Sequence, residues 1–119
     1  MQVTIENNGK KICWVYKGTK ICKQYNNTLM GYECLPDGSG IVILEPYQEA
    51  GSNNAVIFNA DGSERWRLPY TEESGKGVFF DRVGMTQGKL KVIAIIDNRD
   101  VGFTVDWNNC CYLNIAAAR

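Results

Sequence analysis

Thirteen carboxylates and five cysteines are the side chains of this 119-residue chain with chemistry to offer, and it contains no histidine. Without histidine there is no Ser-His-Asp or Cys-His pairing, and of the zinc sites only an all-cysteine one remains. The cysteines are Cys13, Cys22, Cys34, Cys110 and Cys111. An odd number with one vicinal pair and no C-x-x-C makes a poor disulfide framework and a poor zinc site, so reduced, mostly buried thiols are expected. Cys22 stands between Lys20 and Lys23, which would favour a thiolate, but the general base is missing. Glu33, Glu45 and Asp81 lie in or beside expected strands; a glycosidase pair needs carboxyls about 5–9.5 Å apart, which spacing does not establish. Asp97-Asn98-Arg99-Asp100 and Asp61-Gly62-Ser63-Glu64 offer oxygen atoms, yet neither follows the calcium-loop pattern and both read as turns. No glycine-rich phosphate loop is present. No catalytic residue, metal or cofactor is expected.

The elements that carry these residues are strands. No stretch repeats apolar positions at helical spacing. Short apolar segments alternate with turns: Asn7-Asn8-Gly9-Lys10, Gly18-Thr19, Asn26-Asn27-Thr28, Pro36-Asp37-Gly38-Ser39-Gly40, Asn59-Ala60-Asp61-Gly62, Gln87-Gly88, Asp97 to Asp100 and Asn108-Asn109. The reading is all-β, about ten short strands in antiparallel sheets linked by hairpins, one domain over residues 1–119. Ile41 to Leu44 and Val92 to Ile96 do not alternate apolar with polar residues, so both faces of those strands are expected to be buried. Sheets stacked on two sides accomplish that.

Equal numbers of acids and bases conceal an asymmetry. Residues 1–30 hold five lysines and one acid, Glu6; residues 31–75 hold eight acids against Arg65 and Arg67. The lysines interleave with Trp14, Tyr16 and Tyr25, so a small β domain binding single-stranded nucleic acid is the alternative reading. A sequence pI near 6.2 and the acidic segment that follows make nucleic acid the weaker partner. No apolar run reaches the roughly 18 residues of a membrane span, and no secretory leader is seen, so no membrane association is expected.

Strand, turn and aromatic-bearing strand recur at Val3–Tyr16, Val56–Leu68 and Val92–Trp107, the last two about 36 residues apart, near the blade period of a propeller. Asn54 to Leu68, an apolar strand, an Asp-Gly turn and a strand centred on Trp66, resembles the inner hairpin of a β-propeller blade. The length leaves room for an open three-blade half-propeller. In size and texture the chain resembles small bacterial immunity proteins, including those of contact-dependent growth inhibition systems. That resemblance implies a cytoplasmic, non-enzymatic inhibitor that covers the active site of a secreted antibacterial toxin.

The partner-binding candidates are two acidic loops, each with a tyrosine: Glu45, Tyr47 and Glu49, then Tyr70, Glu72 and Glu73. Tyrosine anchors interfaces, and clustered carboxylates complement the basic active-site face of a nuclease, standing in for RNA phosphates.

Overall fold

A computed structural model describes residues 1–69 and 79–117. Eleven strands run in chain order: β1 Val3–Glu6, β2 Lys11–Tyr16, β3 Thr19–Gln24, β4 Gly31–Cys34, β5 Gly40–Leu44, β6 Ala55–Asn59, β7 Glu64–Arg67, β8 Phe80–Thr86, β9 Lys89–Ile96, β10 Arg99–Asp106 and β11 Cys111–Ala117. A 3-10 turn, Asn7–Gly9, joins β1 to β2, and one helical turn, α1 Tyr47–Ala50, lies between β5 and β6. The expected all-β class and antiparallel pairing are observed. The strands form three consecutive meanders: β1-β2-β3, β4-β5-β6-β7 and β8-β9-β10-β11. We call them the first, middle and last sheets.

The middle sheet is packed on both faces. Val42, Leu44, Ala55, Ile57 and Leu68 meet Phe80, Leu90, Val92, Ala94, Phe103 and Val105 of the last sheet. Ile41, Ile43, Val56 and Phe58 point the other way, onto Ile12 and Trp14 of the first sheet. Every residue from Ile41 to Leu44 is fully buried, as the continuous apolar run predicts. The run in β9 behaves differently. Leu90, Val92 and Ala94 are buried, but Ile95 is 45% exposed, so this strand alternates. Among the described residues the last sheet has a neighbouring sheet on one side only, and an apolar run does not reveal which sheet stands at the end of the stack.

The apparent 36-residue repeat also dissolves on inspection. Its second unit is β6–β7, the final pair of the middle sheet; its third is β9–β10, the central pair of the last sheet. The matching hairpins share turn chemistry and not position.

Close approach of the turns fixes how the sheets sit. Gly40 opens β5 where a Cβ would stand 2.2 Å from the Phe58 carbonyl oxygen, so no larger residue fits that strand pair. Gly62 has φ +92° and presses against Ile21 of β3. The Asn59–Ser63 turn is thereby held beneath the first sheet: the Trp14 indole donates to the Ala60 carbonyl at 2.7 Å, and Lys23 Nζ donates to the Gly62 carbonyl at 2.7 Å. Arg65 joins three turns, donating to Asn59 Oδ1, to the Ser39 carbonyl and to the Trp107 carbonyl.

The cysteine expectation needs correction. Cys13 and Cys22 are linked as a disulfide, while Cys34, Cys110 and Cys111 are free. The two stand directly opposite each other across β2 and β3, with Cα atoms 4.2 Å apart. Their nine-residue separation implies that placement only once the Lys17-Gly18 hairpin fixes the register.

Candidate functional site

The loop from Glu45 to Asn54 and the link from β3 to β4 come together at one end of the stack. Between them lies an open cleft of about 450 Å³ lined by Tyr25, Glu45, Glu49, Ala50, Asn53 and Arg67. Three sequence-distant segments meet here, each at the end of a strand. β5 ends at Leu44, just before Glu45, β7 ends at Arg67, and β3 of the first sheet delivers Tyr25 just past its last residue.

Glu45 is buried and serves as the hub. Its Oε1 accepts from Arg67 at 2.5 Å, and its Oε2 accepts from the Tyr25 hydroxyl at 2.5 Å. Burial first, and the Glu45 carboxylate second, push the Tyr25 phenol far above its ordinary range, so it stays a donor. Arg67 extends the network to the Asn53 carbonyl at 2.9 Å and to Glu64 at 3.1 Å. A carboxylate this deeply buried is tolerated because two donors satisfy it.

Glu49, at the solvent side, gathers the β3–β4 turn. It accepts from the backbone N–H groups of Asn26 and Asn27 and from the Asn27 side chain, at 2.8–3.1 Å. Tyr47 is 44% exposed and stacks face to face on Phe79, ring centroids 4.2 Å apart and planes 6° off parallel. Tyr70, Glu72 and Glu73 lie outside the described residues.

Sequence reasoning missed the residue that braces this corner from behind. Asn54 is fully buried. Its amide nitrogen donates to the carbonyls of Glu45 (3.0 Å) and Phe80 (2.8 Å), while its Oδ1 accepts from the Phe80 N–H at 2.9 Å. An asparagine among Ser52, Asn53 and Asn54 carries no mark that separates it from an ordinary loop residue. Arg67 was equally hidden, since Glu64-Arg-Trp-Arg67 reads as a charged strand exterior.

The lysine-rich first sheet is arranged less openly than its composition implies. Trp14 is 1% exposed and presents no stacking surface. Lys23 lies 4.4 Å over the Phe58 ring and bonds Gly62, Lys20 pairs with Glu6 at 3.1 Å, and the Tyr25 hydroxyl belongs to Glu45.

Among the described residues, five carboxylates are held below their ordinary range by hydrogen bonds to the ionised form. The leading donors are Lys20 for Glu6, the Ser39 N–H for Asp37, the Asn26 N–H for Glu49, the Ser63 hydroxyl for Asp61 and the Asn109 amide for Asp106. A carboxyl with a lowered folded-state pKa adds stability above the unfolded pKa of about 4, lost as pH falls through the lower folded values. Thermal melts are therefore expected to be flat from neutral pH to about 5 and to drop steadily below about 4. Equal melting temperatures at about pH 3 and pH 7 would contradict these contacts.

The fold and cleft define a stack of three antiparallel sheets with a polar, internally bonded corner. A chain of the structure of Tne2 in complex with Tni2 has this architecture. The TM-score is 0.71 at 10% identity, over 92% of this chain and 77% of that one. No protein-family model and no curated protein matches the sequence.

Proposed function

We propose that this chain is a non-enzymatic immunity protein that binds a secreted antibacterial toxin and occludes its active site. The toxin proposed is a nuclease of the RNase type, delivered by a contact-dependent growth inhibition system, and the inhibitor acts in the bacterial cytoplasm. The observation that carries the reading is the likeness, over 92% of the chain, to a fold found in a two-protein complex. The size and texture of small immunity proteins in the sequence add to it.

Within this reading the α1 corner is the binding surface. Tyr47 supplies a flat aromatic anchor already fixed by Phe79, and Glu49 supplies negative charge beside it. Glu45 contributes indirectly, by holding Arg67 and Tyr25 in the cleft. Tyr70, Glu72 and Glu73, outside the described residues, are the other partner-binding residues in the proposal. Charge on this face steers a basic toxin toward it and speeds encounter.

Work in the cytoplasm requires the protein to keep its fold with Cys13 and Cys22 reduced. The paired six-residue strands β2 and β3 provide for that. Co-expression with the toxin encoded beside it tests the function: cells survive with the intact chain and die with an unrelated protein of the same size. Tyr47→Ala is expected to weaken toxin binding roughly tenfold or more. Calorimetric titration checks this, with the melting temperature as the control on folding. An unchanged affinity would remove Tyr47 from the interface, while cell death despite expression of the intact chain would remove the function itself.

A further inference from the structure

The Cys13–Cys22 bond lies on the face of the first sheet turned away from the middle sheet, because Ile12 and Trp14, its neighbours on β2, fill the inner face. It runs from the central strand β2 to the outer strand β3. The two sulfurs therefore have different surroundings. Cys13 stands opposite Thr4 of β1, and the Lys20–Glu6 ion pair, 3.1 Å, reaches from β3 to β1 over the same face. Thr4, Glu6, Lys20 and Cys13 line one small cavity of about 210 Å³, and Cys13 is left only 1% exposed. Cys22 is partly exposed, and among the described residues no strand pairs with β3 on its far side.

We propose that Cys13–Cys22 is a reversible redox site for low-molecular-weight thiols, which attack at Cys22 and release Cys13 beside Lys20. A thiolate attacks a disulfide sulfur in line with the bond that it breaks. At Cys22 that line comes in from the free edge of β3; at Cys13 it comes in over β1, past Thr4. The first step joins the attacking sulfur to Cys22 and leaves the electron pair of the broken bond on Cys13. The Lys20 ammonium in the adjoining cavity offsets that charge. A second thiolate then attacks the small-molecule sulfur of the mixed disulfide and frees Cys22. Two small thiols are oxidised to one small disulfide, the protein disulfide is reduced to two thiols, and the protons that the attacking thiols lose end on Cys13 and Cys22. The same steps in reverse restore the link.

The link acts on the α1 corner through β3. Tyr25, Asn26 and Asn27 follow Gln24 directly and bond Glu45 and Glu49. Cross-linking β3 to β2 restricts the strand that presents them, so the thiol pool sets how firmly the corner is held.

The site needs no partner protein, so the chain is tested alone. The oxidised protein is treated briefly with mercaptoethanol, an uncharged thiol, and free thiols are trapped with N-ethylmaleimide. Peptide mass spectrometry locates the adducts, since Lys17 and Lys20 place Cys13 and Cys22 on separate tryptic fragments. The mixed disulfide is expected on Cys22 in about tenfold excess over Cys13. Lys20→Gln, at an exposed position, is expected to slow reduction about threefold and to leave the circular dichroism unchanged. Hydroxyethyl disulfide is expected to restore the link. In the dithiol form the amides of Asn26 and Asn27 are expected to exchange about tenfold faster. Equal adducts on both cysteines would overturn the proposal, as would a rate indifferent to Lys20→Gln or equal exchange of these amides in the two forms. So would a reduction rate that climbs with urea below the unfolding transition, because the sulfur would then be reached only through unfolding.

Discussion

Asn54→Ala is expected to destabilise the protein by about 4 kcal/mol, out of proportion to the few atoms removed. The side chain makes four hydrogen bonds in a fully buried position, to the Glu45 carbonyl, to both backbone groups of Phe80 and, at 3.5 Å, to the Met30 sulfur. Each bond lost from a buried polar group costs about 1–3 kcal/mol, because water cannot replace it. Phe80 is the first residue of β8, and its ring meets Phe103 edge-on in the core between the middle and last sheets. Asn54 therefore fixes where the last sheet begins relative to the end of β5. Asn54→Leu separates bonding from packing, since leucine keeps the volume and loses every bond. Chemical denaturation is expected to show a comparable loss for both variants. Wild-type stability in Asn54→Leu would mean that the site needs only to be filled.

Trp14→Ala carries the second large effect, about 3–5 kcal/mol by the usual cost of emptying a buried aromatic site. Trp14 is 1% exposed and packs with Ile12 against Ile41, Ile43, Val56 and Phe58, the cluster that joins the first sheet to the middle one. Its loss also takes the indole donor from the Ala60 carbonyl. The damage is expected to be local: amides of β1–β3 exchange faster in Trp14→Ala, while those of β9 and β10 keep most of their protection. Uniform acceleration across all three sheets would show instead that the stack unfolds as one cooperative unit.

Strand positions were legible because turn chemistry is local. Asn7-Asn8-Gly9 and Gln87-Gly88 hold residues at positive φ in the structure, and the turn expected at Gly18-Thr19 falls one residue earlier, at Lys17-Gly18. Ile41 to Leu44 announced a strand buried on both faces, and it is one. Val92 to Ile96 looked the same and is not, since stacking order is a long-range property and Ile95 is apolar without being covered. The cleft was only half legible. Glu45 and Glu49 were marked by charge and Tyr47 by type, but the pairing of Glu45 with Arg67 and Tyr25 depends on three strand ends meeting. A charged residue that neutralises a neighbour twenty-two positions away looks, in sequence, like one offered to a partner. Cys13 and Cys22 show the same limit, because register decides whether two cysteines face each other.

Part of the charge that appeared as separate basic and acidic blocks is paired within the molecule. Glu6 pairs with Lys20, Glu45 and Glu64 with Arg67, and Asp100 with Arg82. Surface contacts of this kind add little stability one by one. The α1 corner, with Tyr47 exposed and Glu49 hydrogen-bonded to the Asn26 and Asn27 backbone, is the surface proposed for the partner.

Stoichiometric inhibition tests the proposed role most directly. The purified chain is titrated into the toxin encoded beside it while the toxin's RNA cleavage is followed. Activity is expected to fall linearly to zero at one inhibitor per toxin active site. Full cleavage persisting at a several-fold molar excess of folded protein would contradict it.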